Sequence, residues 1–388
     1  MLTLKRASIN VDPMRALYFI VRYPEFSETY IHEEIRSLRK DHEVQIITYR
    51  PSKVPRKQPF PYKFVPYLDT CPVYGSYQKI DREFTNLSQR WFLHQVGKVI
   101  EEFRPDVMHG HYFGMALIMG QLAERHGVPY TLRTHSMDVL AEPRSKLEGL
   151  CTALRSQWCL RALVFPAFRE TLLELGAPEA KVVSCWPVLN YERFHDRKER
   201  PRTGGVLCSG PAIPKKRHQD FIDLAARMRG QGFTFDLYAR GPTVKLCRAR
   251  NRAQGNPATI TYVDPDEMGD VYKRYDWLVY TADETIQKVG LPVSIVEAQA
   301  AGVGVCWQEL PGRREEQLEY LGGAGFLYRS IDEVPEILAN GYPDEYRARG
   351  YENARKCDIE GHKHLLTDAW RDANSPASPA GFEIPYGS

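Results

Sequence analysis

The sequence predicts an α/β protein made of two consecutive domains, each with an open parallel sheet covered by helices. The chain has 388 residues, more than one ordinary domain contains, so two domains are expected. Short apolar segments alternate with helical segments in both halves, which is the order of βαβ units. The first of these segments, residues 15–23, is almost continuously apolar, as a strand buried on both faces of a sheet must be.

Composition excludes several classes of protein. The 52 basic and 49 acidic residues leave a formal charge of only +3, which argues against a dedicated nucleic-acid binder. The eight cysteines are scattered without a CxxC pair, so free thiols in a reducing compartment are more consistent than disulfides or a zinc site. We find no apolar run of the roughly 18 residues that a membrane span needs, and no signal-peptide core. A cytoplasmic location is therefore predicted.

The first half begins with a strand, a loop, a helix and a second strand at residues 44–48. The loop lies at the carboxyl end of a strand, where open α/β sheets bind ligands. Ser27 and Thr29, in this loop, either cap the helix or contact a ligand. The segment that follows, residues 50–69, combines basic and aromatic residues with five prolines. This density of prolines predicts that no regular element forms. The segment is then either a solvated loop or a contact surface for an acceptor or a membrane.

Two histidines are expected at neighbouring strand ends of the first sheet. His111 and His135 each follow a predicted strand, at residues 105–109 and 129–134, and so should face one crevice. His109 and His111 also share one face of an extended segment, a spacing that suits metal binding, but no further ligands lie nearby in sequence. Helix, strand and helix then complete a first domain that ends near Phe194.

The second half opens with a strand that ends at Gly210. Four adjacent basic residues, 215–218, follow at a helix start and form either a phosphate-binding site or a merely solvated turn. Further strands are predicted at residues 233–239, 259–263 and 276–281. Asp264 and Asp266 have the spacing of a metal-binding carboxylate pair, but they precede a helix whose first turn favours acids, so a helix start is predicted.

The segment 284–302 comprises a polar loop, a Gly-Leu-Pro turn and a short apolar helix that contains Glu297. Pro292 suits a first helical turn, and Gly302 is well placed to end the helix. A loop that leads into a helix N-terminus presents free N–H groups and a positive dipole end, which together bind anions such as phosphate.

The motifs of this chain, taken together and in their order along the sequence, resemble those of the retaining, metal-independent glycosyltransferases of the type-4 group. The resemblance covers residues 15–372. It rests on YPEFSETYIHEEI, DVMHGHYFG, TLRTHSMD, LLELGAPEAKVVSCWPVLNYERF, SGPAIPKKRHQDFI, ARGP, YKRYDWLVYTAD and GLPVSIVEAQAAGVGV. It implies the GT-B fold, in which two Rossmann-like, doubly wound domains face a central cleft. The implied parts are an N-terminal acceptor domain (1–197), a C-terminal donor domain (198–357) and a helix that crosses back (358–373). Residues 374–388 are rich in Pro, Ser, Ala and Gly, and this composition predicts a disordered tail.

The resemblance also implies roles for individual residues. Lys216 would neutralise the diphosphate of a nucleotide-sugar donor, Glu297 would bind the ribose hydroxyls, and His135 would lie against the transferred sugar. Backbone N–H groups at Gly290 and Leu291 would reach a phosphate. The other implied donor-binding residues are Gly210, Arg217, Val263 and Lys288. The implied acceptor-binding residues are Ser27, Glu28, Thr29, His111 and Asp138. Neither a metal nor a cofactor besides the donor is implied.

Three positions depart from the pattern of this family. Val289 stands where a second Glu usually binds the transferred sugar, and Pro211 stands where an Arg assists the phosphates. Ser136 replaces a common Gly on the acceptor side. We hypothesise that Gln287, Lys288 or Arg217 supplies the missing contacts.

The predicted function is therefore transfer of a sugar from a nucleotide sugar to a polysaccharide, glycolipid or other saccharide acceptor, including a lipid-linked one. The protein would be cytoplasmic, or peripheral to the inner face of the membrane, with no nucleic-acid partner. A catalytically silent protein that binds a nucleotide sugar or acts as a partner subunit is one alternative. A sugar-nucleotide epimerase or a phosphorylase is another.

Overall fold

The computed structural model describes residues 12–52, 54–67, 87–195 and 203–374, and within them each half of the chain forms one parallel sheet. The predicted disordered tail, except for Asn374, lies outside these residues. The strands of the first half are β1 Arg15–Arg22, β2 Glu43–Arg50, β3 Tyr62–Phe64, β4 Val107–His111, β5 Tyr130–Arg133, β6 Cys159–Val164 and β7 Val182–Ser184. Those of the second are β8 Gly205–Pro211, β9 Thr234–Arg240, β10 Thr259–Thr261, β11 Trp277–Tyr280, β12 Gly304–Gln308 and β13 Phe326–Tyr328.

Helices cover both sheets and connect their strands. In the first half they are α1 Thr29–Leu38, α2 Leu87–Phe103, α3 Ala116–His126, α4 Ser136–Leu140, α5 Arg144–Ala153, α6 Pro166–Glu174 and α7 Tyr191–Phe194. In the second half they are α8 His218–Arg227, α9 Val244–Ala253, α10 Met268–Tyr272, α11 Val293–Ala300, α12 Arg314–Leu321, α13 Val334–Asn340, α14 Asp344–Arg355, α15 Ile359–His362 and α16 His364–Asn374. Among the described residues, no helix is long and apolar enough to cross a membrane.

Both sheets are doubly wound, as the sequence predicts. The strand order is β3-β2-β1-β4-β5-β6-β7 in the first sheet and β10-β9-β8-β11-β12-β13 in the second. Strand β1 pairs in parallel with both β2 and β4, and β8 pairs in parallel with both β9 and β11. The direction in which strands are added reverses at β1 and at β8. A crevice therefore opens beyond the carboxyl ends of the strands at each of these points.

The proline-rich segment contains one element that the sequence analysis did not predict. Strand β3 forms within residues 50–69 and pairs with β2. It is possible because β3 lies between Pro61 and Pro66 and contains no proline, and because an edge strand needs hydrogen bonds on one side only. The expectation that no regular element forms there was wrong for these three residues.

The chain crosses between the two domains twice, and the two crossing segments bind each other. The N–H of Leu189 donates to the carbonyl of Cys357 at 2.8 Å, and the N–H of Ile359 donates to the carbonyl of Leu189 at 2.8 Å. Helix α16 then packs against the first sheet. The Trp370 side chain is fully buried there, and its Nε1 donates to Thr131 Oγ1 at 3.1 Å.

An ionic cluster also joins the two domains. Asp266, in the turn before α10, accepts from Arg36 and Arg56 of the first domain at 2.9 Å each and from Arg193 at 3.2 Å. Although partial burial raises the pKa of Asp266, the three arginines lower it below its usual value. The predicted helix start is present, since the Asp264 side chain accepts from the N–H of Asp266. Asp266 itself holds the domains together, which sequence alone did not indicate.

We expect Trp370→Ala to lower the free energy of unfolding by about 3–5 kcal/mol, because it empties a buried site and removes a hydrogen bond. Urea unfolding followed by circular dichroism measures this loss. Trp370→Phe, which keeps most of the packing, should cost clearly less. A loss below about 1 kcal/mol for Trp370→Ala would contradict the role of α16 in the first domain.

Candidate functional site

A cavity of about 360 Å³ lies between the two domains and is lined from both. It is bounded by the loop before α1, the segment after β5, the end of β8 and the start of α11. These are carboxyl ends of parallel strands and helix starts, so main-chain N–H groups and polar side chains are concentrated there. The cavity is therefore the place where the two crevices of the fold meet.

Lys216 lines the cavity from the turn Pro214–Lys216, between β8 and α8. Its ammonium lies over the ring of Tyr280, 4.0 Å from the centroid, and contacts the phenol oxygen of the same residue. Its carbonyl accepts from Thr281 Oγ1 at 2.5 Å. Loss of hydration, and then the charge of Lys215, lower the pKa of Lys216 to about 7. Among the residues that the structure describes, no carboxylate stabilises this cation.

Glu297 lines the cavity from α11 and is 8% exposed. Its Oε2 accepts from the Tyr272 phenol at 3.2 Å, and that phenol oxygen lies 2.8 Å from Ser209 Oγ. Desolvation raises the pKa of Glu297 to about 7, and Arg193 and the Tyr272 hydrogen bond oppose part of that rise. A buried carboxylate in this state gains from any ligand that brings hydroxyl donors to it.

The Gly290–Leu291 turn is where the two domains touch across the cavity. The N–H of Leu291 donates to Ser136 Oγ, in α4 of the first domain, at 2.9 Å. A Cβ on Gly290 would lie 2.4 Å from that same Oγ, so only glycine allows this approach. Ser136, one of the departures from the family pattern, thus occupies the N–H group that the resemblance assigns to a phosphate.

His135 is the N-cap residue of α4, is 9% exposed and lines the cavity. Its backbone N–H donates to Asp138 Oδ1 at 2.7 Å. Its ring lies beside the rings of Tyr30 and Tyr112, with centroids 4.6 and 4.8 Å away. Burial, together with the neighbouring His111 and Arg133, lowers the pKa of His135 well below its usual value. The ring is therefore neutral and tightly packed.

The structure brings most of the predicted site residues to this cavity. The predicted residues that line it are Ser27, Thr29, His135, Gly210, Lys216, Val263, Gly290, Leu291 and Glu297. The predicted residues outside its lining are Glu28, His111, Asp138, Arg217 and Lys288.

Three of the residues outside the lining act on others that are in it. Glu28 accepts from the Tyr112 phenol, and Asp138 accepts from the backbone of His135 and of Phe113. His111 was expected just beyond a strand, but it is the last residue of β4 and is fully buried. The strand extends two residues further than predicted, which places this imidazole behind His135 instead of in the crevice.

The three proposed substitutes for the missing family contacts, Gln287, Lys288 and Arg217, lie outside the lining of the cavity. Arg217 pairs with Asp220 at 2.9 Å, and the exposed Lys288 offers only its carbonyl, which accepts from Lys215 at 2.7 Å. Lys215 itself lines the cavity, as do Val289 and Pro211. Val289 is 1% exposed. The positive charge nearest to Lys216 in the lining therefore belongs to Lys215, which sequence reasoning treated only as part of a basic run.

The sequence analysis also missed the aromatic residues that line the cavity. They are Phe26, Tyr30, Tyr112, Phe165, Trp186, Tyr238, Tyr262 and Tyr280. Tyr30 and Tyr112 directly follow Thr29 and His111, so adjacency to predicted site residues was the available signal.

Among the described residues, two groups of side chains have donor atoms close enough to hold a metal ion: Glu34 with His109 and His111, and His32 with Glu33 and Asp266. Arginine guanidinium groups already occupy their carboxylates, since Arg133 lies 2.6 Å from Glu34 and the cluster above surrounds Asp266. None of these six residues lines the cavity. The chemistry of both donor sets therefore fits an internal ion network better than a metal site.

Comparison with known proteins agrees with this architecture. Residues 27–186 match the family model described as "Glycosyl transferase 4-like domain". No curated protein matches the chain. Among solved structures, HepE from Anabaena in complex with UDP and glucose is similar, with a TM-score of 0.66 and 13% identity over 92% of this chain and 99% of HepE.

Two further structures share the fold. A glycosyltransferase from Rickettsia africae has a TM-score of 0.64 and 12% identity, over 95% of this chain and 100% of its own. A sucrose-phosphate synthase from Thermosynechococcus elongatus has a TM-score of 0.63 and 13% identity, over 94% and 100% of the two chains. These findings confirm the GT-B fold and the resemblance to glycosyltransferases that the sequence predicts.

We expect Glu297→Gln to stabilise the ligand-free protein at pH 8 and not at pH 4. Because folding raises the pKa of this carboxyl from 4.5 to about 7, its ionisation opposes folding increasingly between these values and fully above them. The amide removes that cost, which is on the order of 3 kcal/mol at pH 8. Urea unfolding at both pH values tests this, and a variant less stable than the parent at pH 8 would contradict it.

Proposed function

We propose that this glycosyltransferase-like chain transfers a sugar from a nucleotide-sugar donor to a saccharide or lipid-linked saccharide acceptor, with retention of anomeric configuration and without a metal ion. The observation that carries the proposal is the cavity between the domains. Its lining combines a cation that has no carboxylate partner among the described residues, a glycine turn at a helix start, a buried carboxylate and His135 of the first domain.

The donor half of the proposal rests on the second domain. A diphosphate would supply the negative charge that Lys216 lacks, and the developing charge on the leaving group would strengthen that attraction during transfer. The N–H of Leu291 becomes available to a phosphate once Ser136 is displaced. Glu297 offers two oxygens to the vicinal hydroxyls of a ribose. The solved complex of HepE with UDP-glucose, on the same fold, supports this donor class.

The same lining supports retention without a metal. Lys216 and the start of α11 place positive charge where a leaving diphosphate needs it, which is the task of a metal ion in metal-dependent transferases. Within the described lining Glu297 is the only carboxylate, and the proposal uses it at the ribose. That leaves no carboxylate for a covalent intermediate, so attack from the face that the diphosphate leaves is favoured.

The acceptor half of the proposal rests on the first domain. Ser27, Thr29, Tyr30 and Tyr112 offer hydroxyls and aromatic surfaces on that side of the cavity, which suit a saccharide. Tyr62 and Phe64, at the edge of the first sheet, are 44% and 45% exposed in a basic segment. Aromatic and basic groups together favour contact with anionic headgroups, so we place the protein in the cytoplasm or at the inner membrane face.

A second candidate function, binding of a nucleotide sugar without transfer, is favoured by Val289. This buried apolar side chain lines the cavity where a sugar-binding carboxylate would be expected from the resemblance. Binding would then persist without turnover.

Incubation with a panel of nucleotide sugars and candidate acceptors should release free nucleotide in the presence of both substrates. We expect Lys216→Ala to reduce this release by on the order of 10²–10³-fold, because it removes the charge that stabilises the leaving group. Lys245→Ala, an exposed lysine of the same domain, serves as the control. Binding of a donor without release under any acceptor favours the silent alternative, and no binding of any donor refutes both.

We also expect the protein to take up about one proton when it binds a nucleoside diphosphate at pH 8, and almost none through Lys216 at pH 6. The pKa of Lys216 is about 7 in this structure, and an adjacent diphosphate raises it. Calorimetry in buffers of different ionisation enthalpy measures the proton count. Lys216→Met should abolish the uptake at pH 8, and an unchanged count in that variant would contradict the assignment.

A further inference from the structure

A line of contacts leads from the buried interior of the first domain to His135 in the cavity. Glu34 Oε1 lies 3.3 Å from His111 Nε2, and His111 Nδ1 lies 3.1 Å from His135 Nε2. The rings of His111 and His135 are stacked, with centroids 5.4 Å apart. Glu34 and His111 are fully buried, so water does not compete for these contacts.

The carboxylate at the inner end of this line stays ionised. Although burial alone raises the pKa of Glu34, the adjacent Arg133, His109 and His111 bring it well below the usual range. Arg133 Nε lies 2.6 Å from Glu34 Oε2, and the Tyr18 phenol donates to Oε1 at 3.2 Å. An ionised carboxylate can only accept, so its charge favours a hydrogen on the imidazole nitrogen that faces it.

The carboxylate of Glu34 thus favours one tautomer of His111 and, through it, one tautomer of His135. Burial lowers the pKa of His111 and that of His135, so each ring is neutral and carries one ring hydrogen. With its hydrogen on Nε2, facing Glu34, His111 has a bare Nδ1. That nitrogen lies opposite His135 Nε2, so a hydrogen bond between the two rings needs the His135 hydrogen on Nε2.

We propose that Glu34 and His111 are positioning residues that hold His135 in one orientation, as the Nε2–H tautomer, against the sugar in the cavity. The inference deepens the proposed function and rests on it for its catalytic consequence, but the tautomer is a property of the ligand-free protein. His135 is fixed on its other sides as well, by the rings of Tyr30 and Tyr112 and by the Asp138 bond to its backbone.

The chain contains a matched control for this role. His109 lies on the same strand, is equally buried and has its Nε2 at 3.3 Å from the same Glu34 oxygen. Its Nδ1, however, lies 2.7 Å from Thr131 Oγ1 instead of from His135. Replacement of either histidine disturbs the Glu34 network, but only replacement of His111 breaks the connection to the cavity.

The experiment compares the parent protein, His111→Phe and His109→Phe by two-bond ¹H–¹⁵N spectra of protein labelled with ¹⁵N-histidine. His135→Gln assigns the His135 signals. In the parent and in His109→Phe, His135 should appear as a single neutral Nε2–H tautomer. In His111→Phe it should appear as a mixture of tautomers.

Kinetics supply the second readout. We expect His111→Phe to lower kcat by on the order of 10–100-fold with the donor KM nearly unchanged, as for other groups that orient a ligand-contacting imidazole. His109→Phe should lower kcat far less. Equal losses in the two variants would overturn the inference, and so would an Nδ1–H or mixed signal for His135 in the parent protein. The spectrum of the parent protein determines the tautomer of His135 even if His111→Phe does not fold. It also does so if the parent protein shows no sugar transfer, a result that would refute only the proposed function.

Discussion

Desolvation of ionisable side chains between the two domains is the constraint on which this site depends. Lys216 and Glu297 both line the cavity, and burial brings the pKa of each to about 7, from above for the amine and from below for the acid. Among the described residues, neither Lys216 nor Glu297 forms an ion pair of the kind that stabilises a fold. Both groups therefore gain most from a ligand that carries an anionic part and a hydroxylated part.

Two other carboxylates of the chain are each paired with cations. Asp266 has three arginines, and Glu34 has Arg133, two histidines and a phenol. These networks hold the parts that must not move, namely the junction of the domains and the ring of His135. Lys216 and Glu297, which line the cavity, form no such ion pair among the described residues, and ionisable groups with pKa values perturbed in this way cluster at ligand sites.

Sequence reasoning was strongest where a feature is local. The continuous apolar run of β1, the glycine turn before α11 and the lysine after β8 are visible in the chain itself, and the two doubly wound sheets follow from their order. It was weakest where a residue acts across domains. The role of Asp266 depends on arginines that lie more than 70 residues away in sequence, and that of Ser136 depends on a backbone N–H of the other domain. His111 is buried because β4 ends two residues later than predicted, and sequence patterns do not locate strand ends within this margin.

The central claim is that a diphosphate binds between Lys216 and the Gly290–Leu291 turn. A crystal structure of the protein with a bound nucleoside diphosphate tests it most directly. We expect phosphate oxygens within hydrogen-bonding distance of Lys216 Nζ and of the N–H of Leu291, with Ser136 Oγ displaced from that N–H. A diphosphate bound elsewhere, or bound while the bond between Ser136 and Leu291 stays intact, would contradict the claim.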